Sequence, residues 1–413
     1  MSFDYSHRTS HIHIRLRSRG GEPIANEPVT IKQTGHEFLF GCGGFDAVEL
    51  AGGKPDGTPL DAAEAAATKD RLEKIFCFNN YATLPFYLAR YEKEEGKTDE
   101  KRTRAAANWF AARQVRTKGH PLCWHTSCAP WLMEYSNKEI LSRLIRRIER
   151  DVSAFRGLIN TWDVINEAVI MPVFDKYDNA ITRVCRELGR VRLVKEVFAA
   201  ARRANPDAVL LINDFNTSVE YEKLLAECLD AGVSIDAIGI QSHQHQGYWG
   251  REKLEDVLRR FSRFGLPLHF TENTFISGDL MPSYIDDLND WQVESWPSTQ
   301  EGEERQQRDI ADFYSVLFSH PGVAAVTTWC AIDGRWLKAP AGLLRADNSE
   351  KPAYHTLRSL ISQEWHTELQ TRSSPAGDFS LEGFRGTYEL SVKNAKAAFV
   401  LDGKKENLDL QVY

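Results

Sequence analysis

The sequence predicts an α/β fold, a (β/α)8 TIM barrel, with a small accessory β module. Short apolar runs alternate with helical patterns eight times along residues 36–363, which is typical of a closed parallel barrel. Two of these runs end on a glutamate, since Glu167 follows the stretch 160–166 and Glu272 follows the stretch 266–271. Because barrels collect their functional side chains where strands end, we expect both carboxylates at one mouth.

The predicted strands are short runs rich in apolar residues, as expected for parallel strands that are buried on both faces. They cover residues 38–42, 75–79, 119–125, 160–166, 209–213, 237–241, 266–271 and 325–330. The first of them leads into Gly41-Cys42-Gly43-Gly44, which lacks the spacing of a dinucleotide-binding loop and predicts a turn.

Helical patterns of suitable length lie between the strands. One begins at Asn137 as its N-cap, continues with apolar residues at three- and four-residue spacing, and ends before Gly157. An earlier helix begins at Thr98, followed by Asp99 and Glu100, which favour the first turn of a helix. The other helices are predicted at 180–203, 218–231, 251–263, 303–318 and 352–362.

The two ends of the chain are typical of β structure. Residues 11–17 alternate polar and apolar side chains, a turn follows at 20–23, and the pattern resumes at 29–31, which predicts a hairpin within 1–35. Strand patterns also follow in 364–413, but a tail of roughly fifty residues is short for a core of its own. We therefore expect the hairpin and the C-terminal strands to form one β module beside the barrel of residues 36–363.

Composition excludes several classes of partner. A net charge of −7 gives no support for nucleic-acid binding, and the basic run 143–150 lies on a helical pattern that predicts a solvated face. No run is long enough for a membrane span, so we expect no membrane partner. The first residues lack the apolar core of a secretion signal, which predicts a cytoplasmic protein, or a secreted one if a leader has been removed. The sequence predicts no particular oligomeric state.

No metal site and no cofactor are predicted. His243 and His245, with Cys123 and Cys128, contain suitable ligand atoms, but alternation along strand 119–125 places its side chains on opposite faces. The seven cysteines are scattered through a large chain, which favours reduced, buried thiols over a disulfide framework.

The paired glutamates indicate hydrolysis of a glycosidic bond with retention of configuration. That reaction needs a carboxylic acid to protonate the leaving oxygen and a carboxylate to attack the anomeric carbon, ~5–5.5 Å apart. Barrel strands four and seven would bring Glu167 and Glu272 together, and the amide of Asn166 could bind a sugar 2-hydroxyl. The alternative for a single strand-end glutamate is a surface or capping role.

Seven motifs in order resemble glycoside hydrolase family 10, the endo-β-1,4-xylanase family, over most of residues 36–360. They are Gly119-His120-Pro121-Leu122-Cys123-Trp124-His125, Trp162-Asp163-Val164-Ile165-Asn166-Glu167, Asn213-Asp214-Phe215-Asn216, Gly239-Ile240-Gln241-Ser242-His243, Phe270-Thr271-Glu272, Trp329 through Trp336, and Lys351-Pro352-Ala353-Tyr354. Their combined order and spacing are specific, whereas each motif alone is common.

The resemblance implies a retaining glycosidase with Glu167 as acid/base and Glu272 as nucleophile, acting on a carbohydrate. It also implies a set of substrate-binding residues, for one of which, Trp329, plain barrel packing is the alternative. This set comprises Asn166, His120, Trp124, Gln241, His243, Trp329, Trp336 and Asn213.

Several positions depart from the family pattern. The family's Glu, Asn and Lys after strand two, which bind the glycone beyond the first sugar, are replaced by apolar residues within 78–88. Ser127 stands for a glutamine, Thr274 stands for an aspartate after the nucleophile, and Trp329 and Trp336 are one residue closer than usual. An acidic insert with two tryptophans, 279–304, is expected to overhang the cleft, with a solvated loop as the alternative.

Three functions follow from these observations. The first is a xylanase-like enzyme on xylan or xylo-oligosaccharides. The second is a β-glycosidase with altered glycone specificity, acting on another oligosaccharide or a glycoconjugate, because a site that loses hydrogen-bonding groups changes what it accepts. The third is a carbohydrate-binding protein without turnover, which the two retained glutamates argue against.

Overall fold

The computed structural model describes residues 3–412 and contains a barrel and a β-sandwich. Its strands are β1 (Thr9–Arg17), β2 (Pro28–His36), β3 (Leu39–Gly43), β4 (Tyr81–Pro85), β5 (Arg116–His120), β6 (Thr161–Asn166), β7 (Val209–Asp214), β8 (Ala237–Gln244), β9 (Leu268–Phe275), β10 (Val323–Thr328), β11 (Glu368–Arg372), β12 (Asp378–Phe384), β13 (Gly386–Val392), β14 (Ala395–Leu401) and β15 (Asn407–Gln411). Its α-helices are α1 (Asp46–Gly52), α2 (Ala62–Phe76), α3 (Leu88–Tyr91), α4 (Glu100–Ala111), α5 (Asn137–Ala154), α6 (Ala180–Leu188), α7 (Arg190–Ala204), α8 (Val219–Asp230), α9 (Gly250–Ser262), α10 (Gln300–Ser319) and α11 (Pro352–Ser359).

Strands β3 to β10 form a closed parallel barrel in sequential order, with β10 pairing back onto β3. This confirms the predicted (β/α)8 fold. Two glycines make the close approach of neighbouring strands possible, because a Cβ on Gly119 would lie 2.2 Å from the Trp162 ring and one on Gly239 would lie 2.4 Å from the Asn213 side chain. The Trp162 and Asn213 side chains therefore pack directly over the backbone of a neighbouring strand.

The predicted second strand, 75–79, is wrong. Ile75 lies in α2, where its side chain is buried together with Arg71 and Leu72 on one helical face. The strand itself is β4, whose residues 81–84 are all buried. An apolar run of four residues does not distinguish the end of a buried helix from a buried strand, and here the helix extended into it.

The predicted third strand, 119–125, is also wrong in its extent. Strand β5 ends at His120, before Pro121, and beyond it Cys123 makes only an isolated bridge to Ile165 of β6. Strict alternation of side chains therefore does not apply to residues 121–125, so alternation does not determine which face Cys123 lies on.

Helix ends differ from the sequence predictions by a residue or more. The N-cap of α5 is Ser136 rather than Asn137, because Ser136 forms a reciprocal capping box with Glu139. Helix α4 begins at Glu100, and its N-cap is Asp99 rather than Thr98. The predicted helix 180–203 is two helices, α6 and α7, which Gly189 separates with φ of +80°.

Both termini contribute to the β-sandwich, but the predicted N-terminal hairpin is wrong. Strand β1 lies between β12 and β15 in a three-stranded sheet, whereas β2 lies between β11 and β13 in a four-stranded sheet with β14. Both strands turn their alternate apolar residues toward one shared core from opposite sides. That core consists of Ile12, Ile14, Leu16, Val29, Ile31, Phe379, Leu381, Tyr388, Leu390, Val392, Phe399, Leu401, Leu410 and Val412.

An aromatic cluster joins the sandwich to the barrel at the end where the barrel strands begin. Trp365 stacks on Phe318 with ring centroids 4.4 Å apart and lies 5.7 Å from Phe40. The Arg8 guanidinium donates to the carbonyl oxygens of Phe318, His320 and Val323 at 2.7–2.9 Å. The sandwich is therefore attached opposite the mouth at which the strands end.

Candidate active site

Glu167 and Glu272 lie at the same mouth of the barrel. Glu167 directly follows β6, and Glu272 lies within β9 at the register of Gln241 in β8. The backbone of Glu167 has φ of +58°, and its N–H donates to the carbonyl of Asn213 at 2.8 Å. Such a conformation costs a non-glycine residue about 1–3 kcal/mol and occurs at positions where function fixes the direction of a side chain.

Amide side chains connect the two carboxyl groups. Asn213 Nδ2 donates both to Asn166 Oδ1 at 2.7 Å and to Glu272 Oε1 at 2.8 Å. Gln241 Nε2 donates to the same Asn166 oxygen at 3.1 Å and to Glu167 Oε1 at 3.4 Å. The structure thus brings together Glu167, Glu272 and three of the predicted sugar-binding residues in one hydrogen-bonded group.

Glu167 is held in its protonated form near neutral pH. Burial raises its pKa to about 8, and the charges of Asp214 and Glu272 act in the same direction. A hydrogen bond from Trp124 Nε1 to Oε2, 2.8 Å long, acts in the opposite direction and fixes the orientation of the carboxyl group. A buried carboxylic acid of this kind can donate a proton.

Glu272 is held in its ionised form. Burial acts to raise its pKa, but the electrostatic influence of His120 and the contact with His243 outweigh burial, so the pKa is lowered. His243 Nε2 lies 3.3 Å from Oε2, and His120 Nε2 lies 3.9 Å from Oε1. The neighbouring carboxyl groups therefore have opposite pKa shifts, as an acid and a nucleophile require.

A buried ion pair lies beneath the site and orients His120. His120 Nδ1 lies 2.7 Å from Asp163 Oδ2, and the same oxygen lies 2.6 Å from Lys118 Nζ. The side chains of Lys118 and Asp163 are both fully buried. Burial acts to raise the pKa of Asp163, but the charge of Lys118 and the contact with His120 together outweigh burial and lower that pKa. This pair was not predicted from the sequence, although charged residues in buried strands are a signal for it.

The described residues, 3–412, include no group of three or more His, Cys, Asp or Glu side chains arranged to hold a metal ion. In the same part of the chain no helix has the length and apolar character of a membrane span. The seven cysteines are all free thiols.

Comparison with known proteins identifies the family. Residues 66–360, well over half of the 413-residue chain, match the sequence profile of Glycosyl hydrolase family 10. The chain belongs to this family. The match confirms the resemblance that the motifs around the two glutamates indicate.

Relatives and solved structures agree with this assignment. The Beta-1,4-xylanase of Dictyoglomus thermophilum is 30% identical over 237 residues, 54% of this chain and 62% of the relative, so the chain spans less than two thirds of that protein. Endo-1,4-beta-xylanase B of Paenibacillus barcinonensis is 29% identical over 245 residues, 56% of this chain and 70% of the relative.

Among solved structures, GH10 from Paenibacillus barcinonensis has a TM-score of 0.62 at 22% identity, covering 80% of this chain and 96% of that one. Native xylanase 10B from Thermotoga maritima has a TM-score of 0.61 at 19% identity, covering 79% and 96%. At these identities the likeness concerns the fold, and it agrees with the barrel.

One departure from the family 10 pattern lies two residues after Glu272. Thr274 replaces the usual aspartate, and its hydroxyl lies 3.3 Å from His243 Nδ1 and 3.1 Å from His245 Nδ1. Burial lowers the pKa of His245 to about 3, so its ring is neutral. Since the hydroxyl has one proton, Thr274 donates to one histidine and accepts from the other. Donation to His243 leaves the proton on its Nε2, which then faces Glu272.

From the sequence, His245 was considered only as a metal ligand, and its contact with Thr274 was not predicted. Its spacing gives a signal, since His243 and His245 are two apart on β8 and Thr274 is the neighbour on β9 at the register of His243. A hydroxyl group therefore occupies the place where the family has a carboxylate.

The three predicted tryptophans all lie at the site. Trp124 contacts Glu167, the Trp329 ring lies 5.3 Å from that of His120, and the Trp336 ring lies 4.3 Å from that of His243. Two aromatic residues of the site were missed, Tyr87 and Phe45. The signal for Tyr87 is its position two residues after β4, where a barrel places functional side chains.

The insert 279–304 is not a solvated loop throughout. Trp296 is buried, donates to the carbonyl of Asp279 at 2.8 Å, and lies 5.8 Å from the ring of His245. Together with Trp291, it belongs to the apolar cluster that contains Trp329 and Trp336. The insert therefore overhangs the site and packs against its aromatic residues.

Proposed function

We propose that this protein hydrolyses β-glycosidic bonds with retention of configuration. Glu272 attacks the anomeric carbon while Glu167 protonates the leaving oxygen. The bond between that carbon and that oxygen breaks, which gives a glycosyl-enzyme. A water molecule then gives a proton to Glu167 and attacks the anomeric carbon, which breaks the bond to Glu272 and releases the sugar. The opposite pKa shifts of two carboxyl groups held by shared amides carry this proposal.

The surrounding residues have distinct roles in this proposal. Asn166, fixed by Asn213 and Gln241, is positioned to bind the sugar 2-hydroxyl, a contact that strengthens in the transition state. His120 and His243 orient the nucleophile and keep it ionised. The tryptophans offer flat apolar surfaces to the C–H faces of a pyranose ring.

Two substrate classes are proposed. Xylan or xylo-oligosaccharides are supported by relatives that are named xylanases. A different oligosaccharide or a glycoconjugate is supported by the apolar stretch after β4, which lacks the polar residues that bind glycone sugars in the family. A panel of nitrophenyl β-glycosides (xyloside, xylobioside, glucoside, cellobioside and arabinoside) tests the choice, and no turnover on any of them would favour a binding protein.

The catalytic roles are tested by two alanine variants. Glu272→Ala should abolish turnover, and added azide should restore it as a glycosyl azide of inverted configuration. Glu167→Ala should lower kcat/KM about 10²–10⁴-fold for substrates with poor leaving groups while sparing kcat/KM for activated aryl glycosides, because kcat/KM reports formation of the glycosyl-enzyme. Glu220→Ala is the control, because that exposed side chain lies on α8 and pairs only with Lys223 in the described contacts. Equal losses on both substrate types would refute Glu167 as the proton donor.

A further inference from the structure

An aromatic wall stands on the glycone side of the catalytic carboxyl groups. The ring of Tyr87 lies 5.5 Å from that of His120 and 5.7 Å from that of Trp124. Phe45, which follows β3, lies 6.4 Å from Tyr87 and packs edge-on against Trp329 at 5.1 Å. These rings surround the place next to Glu272 where the first sugar would sit.

Burial and electrostatics agree with this position of Tyr87. The pKa of its hydroxyl is raised well above its ordinary value by burial and, next, by the charge of Glu272. The rest of the stretch turns away from the site, because Leu84, Phe86 and Leu88 are buried and Phe86 packs against Trp162 at 4.8 Å. The stretch therefore presents the Tyr87 ring, rather than a set of polar side chains, to the space that borders the first sugar.

The opposite side of the mouth is bridged. Lys176, in the loop after β6, lies 2.7 Å from Asp287 and 2.7 Å from Asp290 in the insert after β9. This contact joins the loops of two strands that are separated by β7 and β8. Gln246, after β8, supports the same insert through the carbonyl oxygens of residues 282 and 285 at 3.0 and 2.7 Å.

A third tether fixes the insert on its other flank. Lys338 Nζ donates to the carbonyl oxygens of Val293 and Glu294 at 3.1 and 3.3 Å. The insert thus spans from the loop after β10 to the loop after β6, on the side of the mouth away from Tyr87. A polysaccharide that is cut internally needs room for further sugars on both sides of the scissile bond, whereas here an aromatic wall stands on the glycone side.

We propose that the site holds a single sugar on its glycone side, so that the protein removes the terminal sugar of a short β-linked oligosaccharide or glycoside. This inference rests on the proposed hydrolytic function. It specifies the position of cleavage, which the two carboxyl groups alone do not determine. Tyr87 and Phe45 set this specificity, and they do so by excluding a second glycone sugar.

The order of product release tests the inference. The substrate is nitrophenyl β-xylobioside, or the cellobioside if the panel shows preference for the glucoside. A site for one glycone sugar releases the monosaccharide first, and nitrophenol follows after a lag as the nitrophenyl monoglycoside is cleaved. Immediate release of nitrophenol with the intact disaccharide would overturn the inference alone. No cleavage of any nitrophenyl glycoside would overturn the proposed function as well.

Two variants of Tyr87 test whether the aromatic wall causes this order of product release. Tyr87→Ala removes the ring, and the ratio of disaccharide to monosaccharide among first products should rise about tenfold, which corresponds to about 1.4 kcal/mol. Tyr87→Phe keeps the ring and should retain the lag. An unchanged ratio in Tyr87→Ala would refute the role of the wall. Should that variant fail to fold, the product order of the unaltered protein still decides the inference.

Discussion

The pH dependence of turnover reports the state of Glu167 directly. As the proton donor, it must be protonated in the free protein, and its pKa is raised to about 8. The sign follows from this requirement: activity is retained below pH 8 and lost as the pH rises through the pKa. The pKa of Glu272 is lowered, so the nucleophile stays ionised over the same range.

The size of the effect follows from the pKa. About half of the Glu167 side chains are protonated at pH 8 and about one tenth at pH 9, so kcat/KM should fall about tenfold per unit above pH 8. The assay is kcat/KM between pH 5 and pH 10 for an alkyl or poorly activated aryl β-glycoside. An activated aryl glycoside needs little protonation, and its basic limb should be weak. A profile that stays flat to pH 10 for the poor leaving group would refute the assignment.

A variant of Asp214 tests whether the charge of this residue raises the pKa of Glu167. Burial raises the pKa of Asp214 to about 7, so this carboxyl group is mostly ionised at pH 8, and its charge then raises the pKa of Glu167. Asp214 accepts from the N–H groups of Val169 and Asn216, one on each oxygen, and Asp214→Asn keeps one of these acceptors while removing the charge, so the basic limb should move to lower pH. Asp207→Asn, at an exposed side chain, is the matched control and should leave the limb in place. An unmoved limb in Asp214→Asn would show that other groups set the pKa.

Two further variants test stability rather than catalysis. Lys118→Met leaves Asp163 charged and buried without its cation, so urea unfolding should show a loss of about 3–5 kcal/mol in unfolding free energy. The exposed Lys223→Met should lose less than about 1 kcal/mol, and equal losses in the two variants would contradict the role of the buried pair. Trp365→Ala removes a buried ring from the junction between barrel and sandwich and should cost about 3–5 kcal/mol of unfolding free energy while leaving kcat/KM unchanged. A lowered kcat/KM at full folding would place the junction in contact with the site.

Local patterns were sufficient to predict most of the barrel, because strands buried on both faces are continuous apolar runs. They failed at residues 75–79, where the last turn of α2 has the same composition as a strand. They failed again at the N-terminus, where β1 and β2 alternate correctly but pair with strands more than 300 residues away. Alternation shows which face of a strand is buried, whereas the identity of its partner depends on the distant chain.

For the candidate site, too, local patterns predicted the residues at strand ends but not the contacts between loops. Glu167 and Glu272 were found from sequence because each follows or ends an apolar run, a position that the closed barrel converts into proximity. Tyr87 and the contacts of Lys176 with the insert were not found, because loops meet by tertiary packing that no local spacing encodes.

Strand ends and loops contribute differently to function. Strand ends carry the carboxyl groups and their amides, so membership of the family determines the chemistry that the site supports. The residues that select the substrate lie in loops that pack over that chemistry, and there this chain departs from the family pattern. In our proposal, Tyr87 leaves the carboxyl groups intact and excludes a second glycone sugar, which changes where a chain is cut without changing how the bond is broken. The proposal thus assigns the cleavage position to Phe45 and Tyr87, and the reaction type to Glu167 and Glu272.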